Sequence, residues 1–177
     1  MAAASALFVE KGIGSVSIAD ITTRAGLAKG TFYLYFESRE ALLEALRVDM
    51  MSAAVEAFGR LELPDSVEGW PACLDRLVDG TLDFFFENRE LHDLLSSEPH
   101  EHSDDRGEWP LVMSLHERLR EFISTGVDAG ALVADLDIAP TLVFELLHAS
   151  GHLLGQGANP ERVKVETRRM VRAALIR

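Results

Sequence analysis

Two sets of residues in this sequence have the types and spacing to do chemistry. The first is histidine: His92, His100, His102, His116, His148 and His152 all lie in the second half of the chain. His148 and His152 are four apart, which on a helix puts both imidazoles on one face at a metal-chelating spacing. His100 and His102 fall among Glu98, Glu101, Asp104 and Asp105, a pattern that a solvated acidic loop explains equally well. Histidines so placed also serve as hydrogen-bonding groups in pockets and interfaces, so metal sensing is an alternative and no metal or cofactor is assigned. The second set lies within Ser17 to Phe36, SIADITTRAGLAKGTFYLYF, where one lysine stands among hydroxyls, small residues and aromatics.

Catalysis has little footing. No glycine-rich phosphate loop follows a strand, and no nucleophile elbow is present. The lone Cys73 has no partner motif and excludes both an intrachain disulfide and a multi-thiolate zinc site. Glu145 with His148 and His152 is the one constellation an enzyme could use, and no catalytic residue is assigned.

The 177 residues suffice for one large or two small domains, and a cytoplasmic location is expected from the cysteine usage. No apolar run is long enough to span a membrane. The net charge of −12 argues against a nucleic-acid partner until its distribution is considered. Residues 1–47 hold five basic and five acidic groups, so the whole excess of acid lies in residues 48–177. A neutral head can approach phosphate while the acidic remainder faces away. The expected domains are therefore 1–47 and 48–177.

Helical periodicity runs from end to end, and the fold class is all-α with about nine helices. A first helix ends at Gly12. Ser17 caps a second, with Asp20 three residues on in a near capping-box pattern. Gly26 closes it, a third runs from about Ala28 to Tyr35, and Ser38 caps a fourth through about Phe58. Pro64 and Asp65 mark a joint. Further helices are expected at about 70–87, 89–97, 108–129, 138–155 and 160–176, with a polar, mobile loop from Ser97 to Gly107. Asn159 before Pro160 is an especially good cap.

Two short helices joined at a glycine form the arrangement in which one helix braces another in the major groove. Helical phasing turns Phe32 and Phe36 inward onto Ile18, Ile21 and Ala25. The outward side then carries Lys29, Gly30, Thr31, Tyr33 and Leu34. Gly30 admits close backbone approach, Thr31 and Leu34 suit base edges and thymine methyls, and Lys29 and the Tyr33 hydroxyl suit phosphates. The helix starts at Ser17 and Ser38 offer free N–H groups to two further phosphates.

The run IADITTRAGLAKGTFYLYFESREALLEAL resembles the DNA-binding signature of TetR-family regulators over about residues 5–47. The resemblance implies DNA contacts at Ser17, Thr22, Ala28, Lys29, Gly30, Thr31, Tyr33, Tyr35, Ser38 and Arg39. It also implies a homodimer held by the last two helices, and a pocket for a small-molecule effector in the C-terminal domain. Ala28 stands where the family usually has Ser or Thr, Leu34 replaces a commonly polar or aromatic residue, and no basic arm precedes the first helix in this sequence.

Beyond residue 48 the pocket must be argued from residue types. Aromatic and Met residues recur, and three consecutive Phe residues cannot all face one core, so one face can line a cavity; filling of an ordinary core is the alternative. The candidate ligand-binding residues are Phe84, Phe85, Trp109, Met113, His116, Phe144 and His148. The segment Thr141 to Leu154 is apolar nearly all round and, with the last helix, could build a four-helix bundle across a two-fold axis. Arg168, Arg169 and Arg172 are expected to serve the helix dipole and solvation. Repression by exclusion is the expected mode of action, with a metal-responsive regulator, an enzyme or a non-DNA-binding interaction protein as alternatives.

Overall fold

In the computed structural model the backbone is described for residues 1–97 and 108–176, and the side chains for 1–95 and 112–176. Every regular element among the described residues is helical. The α-helices are α1 (Ala2–Lys11), α2 (Ile18–Arg24), α3 (Lys29–Phe32), α4 (Arg39–Gly59), α5 (Trp70–Ser97), α6 (Glu108–Asp128), α7 (Ala139–Gly155) and α8 (Pro160–Leu175). Single 3₁₀ turns precede α2 and α5.

The expected caps form. The Ser17 hydroxyl accepts from the Asp20 N–H at 3.2 Å, and the Asp20 carboxylate accepts from the Ser17 N–H at 2.9 Å, completing a capping box. Ser38 Oγ accepts from Ala41 N–H at 3.1 Å, and Asn159 Oδ1 from Arg162 N–H at 3.0 Å. Gly12, at φ 77°, ends α1 in a backbone region that a side chain would strain.

Two expectations change. The stretches at 70–87 and 89–97 are one helix, α5, of 28 residues. Asn88 lies within it, its amide Nδ2 donating to the Phe84 carbonyl at 2.8 Å, four residues back. The third helix is a single α turn, and residues 33–36 continue it through tighter turns, such as Leu34 N–H to Thr31 O. The expected loop from Ser97 to Gly107 falls outside the described residues, apart from its first backbone residue.

Two cores result. The N-terminal one gathers Leu7, Phe8, Val16, Ile21, Phe32, Leu42 and Leu46; the larger one gathers Trp70, Leu74, Leu82, Phe122, Ile123, Leu147 and Val171. The expected boundary between domains falls after Arg47, inside α4. Helix α4 crosses that point unbroken, and Leu95, near the far end of α5, is fully buried in the N-terminal core. Arg47 seals the contact by donating from its guanidinium to the Leu95 carbonyl at 2.9 Å.

Helix α8 lies antiparallel along α5 and is fastened by a ladder of ion pairs. Lys164 meets Asp83 at 2.6 Å, Arg168 meets Asp79 at 2.6 Å, and Arg172 donates from Nε to Asp75 at 2.7 Å. The i, i+4 spacing on both helices sets the three rungs in register. Arg168 and Arg172 thus have specific carboxylate partners, where dipole and solvation alone had been expected to account for them. Arg169 pairs locally with Glu166.

Leu95→Ala is expected to cost about 2–5 kcal/mol of unfolding free energy, as for other fully buried leucines. Chemical denaturation followed by circular dichroism checks this, and a change below about 0.5 kcal/mol would show that Leu95 does not join the N-terminal core.

Candidate nucleic-acid interface and effector cavity

The α2–α3 hairpin follows the phasing in part: Ala25, expected to lie on the inward side, is exposed. Ile21 and Phe32 are buried, and the Phe32 and Phe36 rings pack with centroids 5.5 Å apart. On the outside, Ala28, Lys29 and Gly30 are exposed and Thr31 is half-buried. Tyr35 is 76% exposed and Leu34 80%, beside exposed Leu27 and Tyr33. Four large side chains left in water on one short segment form a surface that a monomer gains nothing by exposing. Leu27 was not among the expected contacts; it adjoins the turn at Gly26, whose φ of 68° requires glycine.

Some expected contacts are occupied otherwise. Thr22 is 4% exposed, and its hydroxyl donates to the Ile18 and Ala19 carbonyls of its own helix. Arg39 reaches back from α4 to donate to the Ile13 carbonyl, bracing the end of the α1 region. The Ser17 hydroxyl lies 2.5 Å from the Asp20 carboxylate and helps hold that carboxyl below its ordinary range. Ala28 caps α3 with no side-chain hydrogen bond. Arg24 is paired with Glu10 at 2.6 Å.

Behind the head, α4, α5, α6 and α7 enclose a cavity of about 540 Å³, within the range of small-molecule sites. Of the expected ligand residues, Phe84, Phe85, Phe144 and His148 line it. His116 stands behind the wall, its ring 4.0 Å from that of Phe144 and its Nδ1 3.0 Å from the Val112 carbonyl. Met113 is exposed and does not line the cavity, because α6 turns it outward. The Trp109 side chain lies outside the described residues. Sequence reasoning missed Arg47, Met50, Phe58 and His92, all in the lining. Nothing in their residue types or spacing singled them out as lining; only the assembled bundle shows that they face a void.

Gly151 makes one wall possible. A Cβ there would lie 2.6 Å from Cγ of Phe85, so the bare backbone of α7 lets that ring lie flat against it. His148, one turn earlier, is half-buried; burial, then the neighbouring His152 and His92, pushes its pKa below the usual histidine value. Burial raises the Cys73 thiol pKa, which leaves it a poor nucleophile.

A helix-turn-helix hairpin on a three-helix head, followed by a helical bundle with an internal cavity, defines a class of DNA-binding regulators. The model of the bacterial regulatory proteins, tetR family, matches residues 1–46. The chain is 40% identical over 80 residues to the HTH-type transcriptional regulator YvdT of Bacillus subtilis, a stretch covering 45% of this chain and 40% of YvdT. It is 30% identical over 92 residues to the HTH-type transcriptional regulator EthR of Mycolicibacterium smegmatis, covering 52% and 40% of the two chains. The chain thus spans less than half the length of these relatives.

The whole fold also recurs. A TetR transcription regulator from Haloarcula marismortui superposes with a TM-score of 0.81 at 20% identity, over 98% of this chain and 95% of the other. FadR from Bacillus subtilis, in complex with stearoyl-CoA, superposes with a TM-score of 0.74 at 17% identity, over 96% and 94%. Residues 1–46 thus match the DNA-binding region of the bacterial regulatory proteins, tetR family, and the chain as a whole has the fold of the TetR regulators it superposes on.

Gly151→Ala forces Phe85 off the α7 backbone and is expected to destabilise the protein by about 1–3 kcal/mol, the usual cost of overpacking. Thermal and urea unfolding check it; an unchanged midpoint would mean that Phe85 does not rest on Gly151.

Proposed function

We propose that the protein is a sequence-specific repressor, working as a homodimer on a palindromic DNA operator and released by a largely apolar small molecule. The observation that carries the DNA-binding part is the exposed surface of residues 27–35, where Leu27, Tyr33, Leu34 and Tyr35 surround Lys29, Gly30 and Thr31. In this reading Lys29 and Tyr33 hold phosphates, Thr31 and Leu34 meet base edges, and Gly30 and Ala28 allow the backbone close. Tyr35 lies beside the backbone contact, and the N-terminus of α4 at Ser38 directs its dipole at a phosphate. Ser17 acts through the capping box that fixes α2. The head is residues 1–47 with α4 carried onward into an effector and dimerisation domain, residues 48–177.

The dimer is assigned to α7 and α8, which leave Leu142, Leu153, Val165 and Met170 exposed. A partner copy of the same pair buries these residues in a four-helix bundle about a two-fold axis. Two heads then address major-groove half-sites about 34–36 Å apart.

The effector reading rests on the cavity. Phe58, Phe84, Phe85 and Phe144 supply apolar walls, and Asn88, Glu145 and His148 a few polar groups to fix orientation. That the similarly folded FadR is found in complex with stearoyl-CoA supports an effector with an extended apolar part. Release follows to the extent that the effector prefers an arrangement of the heads that the operator does not accept.

Gel-shift titrations against DNA flanking the gene, over a salt series, test the reading. Lys29→Ala should weaken binding to all sequences and lower the salt slope by about one per half-site, whereas Thr31→Ala should change base preference. Binding without sequence preference at physiological salt would overturn the proposal. Leu142→Glu combined with Met170→Glu should convert a dimer to a monomer in sedimentation analysis; a wild-type protein that is monomeric at micromolar concentration removes the assigned interface.

A further inference from the structure

The histidines of α5 and α7 come together as the sequence alone could not show. His92 projects from α5 toward His148 and His152 on α7, and one ring nitrogen of each lies within 4.8 Å of the others. Ring centroids are 4.7 Å apart for His148 and His152, 5.3 Å for His92 and His152, and 6.4 Å for His92 and His148. His92 and His148 are half-buried and line the cavity, while His152 is exposed to solvent. Among the described residues, the ring nitrogens of His148 and His152 have no hydrogen-bond partner.

We propose that His92, His148 and His152 form a binding site for a divalent transition-metal ion, with Zn²⁺ the best match to three imidazoles. Three histidines and an open fourth position make a common zinc donor set. Zn–N bonds of about 2.0–2.1 Å in tetrahedral geometry place the nitrogens roughly 3.3–3.4 Å apart. The observed triad is therefore open by no more than about 1.5 Å. The fourth position is left to water.

The surroundings match what a metal site needs. His92 Nδ1 lies 3.4 Å from Oδ1 of Asp93, an outer carboxylate that orients the imidazole and leaves Nε2 for the ion. Gly155 leaves room for that carboxylate, since a Cβ there would lie 2.9 Å from both of its oxygens. Phe85 packs edge-on against His92 at 5.5 Å and near His148 at 6.1 Å, while Phe144 stacks near His148 at 6.2 Å. These rings restrict the imidazoles and wall the inner side from bulk water. Exposed His152 gives the ion an entry path. Glu145, one turn before His148, adds negative charge to the approach. Burial also favours the neutral imidazole of His148, which is the form that ligates.

Ligation is independent of the DNA reading, because it is measured on the protein alone. Full-length protein stripped with chelator is titrated with Co²⁺, followed by its visible d–d absorption, and then with Zn²⁺ in competition. The expected result is one ion per protomer with the strong absorption of a four- or five-coordinate site. His92→Gln and His152→Ala should each weaken Zn²⁺ binding more than the roughly 10–100-fold expected for removing the outer carboxylate with Asp93→Asn. His152 is exposed, so chelated His152→Ala should melt as the wild type does, separating lost ligation from lost folding. His100→Ala with His102→Ala should leave binding unchanged. Absence of stoichiometric Zn²⁺ binding overturns the site, as does binding that survives the His92→Gln/His152→Ala double variant.

Discussion

The guanidinium of Arg47 sits between two helices that belong to different halves of the chain, and its donation to the Leu95 carbonyl fixes how those halves meet. Leu95 lies in the last described turn of α5. Arg47 thus ties a carbonyl of α5 to α4 through a buried cation. Glu44, 3.5 Å away, offsets part of the cost of burying the charge. Around this bond Leu91, Leu94 and Leu95 insert into the core formed by α1, α2 and α4. Without that insertion the small N-terminal core would lose a wall.

The same junction forms one end of the cavity. Arg47, His92 and Leu95 line it, and Met50 and Phe58 carry the lining along α4. Helix α4 follows the recognition segment directly through Ser38, and Arg39 ties its first turn to Ile13. A molecule in the cavity therefore presses on the helix that positions the head, and it does so beside the bond that joins the halves. Occupancy alone changes nothing; a difference in contact free energy between two placements of α4 against α5 is required. A coupling of about 1–3 kcal/mol, corresponding to a 5–150-fold change in affinity, is within reach of a few altered contacts at such a junction. The proposed metal site touches the same turn, because His92 is three residues from Leu95.

Local chemistry was legible in the sequence and long-range partnership was not. Ser17 with Asp20, Ser38 and Asn159 announce caps because the capping hydrogen bonds span only three residues. Phe32 and Phe36 declare their inward side through helical phase. Helix α5 runs unbroken through Asn88, which residue type alone does not reveal. His92 gains meaning only from α7, more than fifty residues away. The carboxylates at 75, 79 and 83 look like a solvated face until α8 brings Lys164, Arg168 and Arg172 against them. Thr22 and Arg39 match a DNA-contact pattern by position, and each also has a partner inside the head: the Ile18 and Ala19 carbonyls for Thr22, the Ile13 carbonyl for Arg39.

The charges of that head bear on how it would hold DNA. Of its five cations, Arg24 is paired with Glu10, Arg39 braces Ile13 and Arg47 is buried at the junction. Lys11 and Lys29 remain exposed, and in the proposed dimer they provide four full charges. At about 0.9 released counterions per neutralised phosphate, raising salt from 50 to 200 mM then costs at most roughly 10²-fold in affinity, the value for all four meeting phosphates. Proteins making six to ten such contacts lose about 10³–10⁵-fold over that range. A reader with so small an ionic component must draw more of its binding from contacts that salt does not screen. The exposed Leu27, Tyr33, Leu34 and Tyr35 are the side chains placed to supply them, through thymine methyls, sugar edges and the phenolic hydroxyls. The apolar character of position 34 is then part of the same design as the neutral head: sequence-dependent contact takes the share that phosphate attraction leaves.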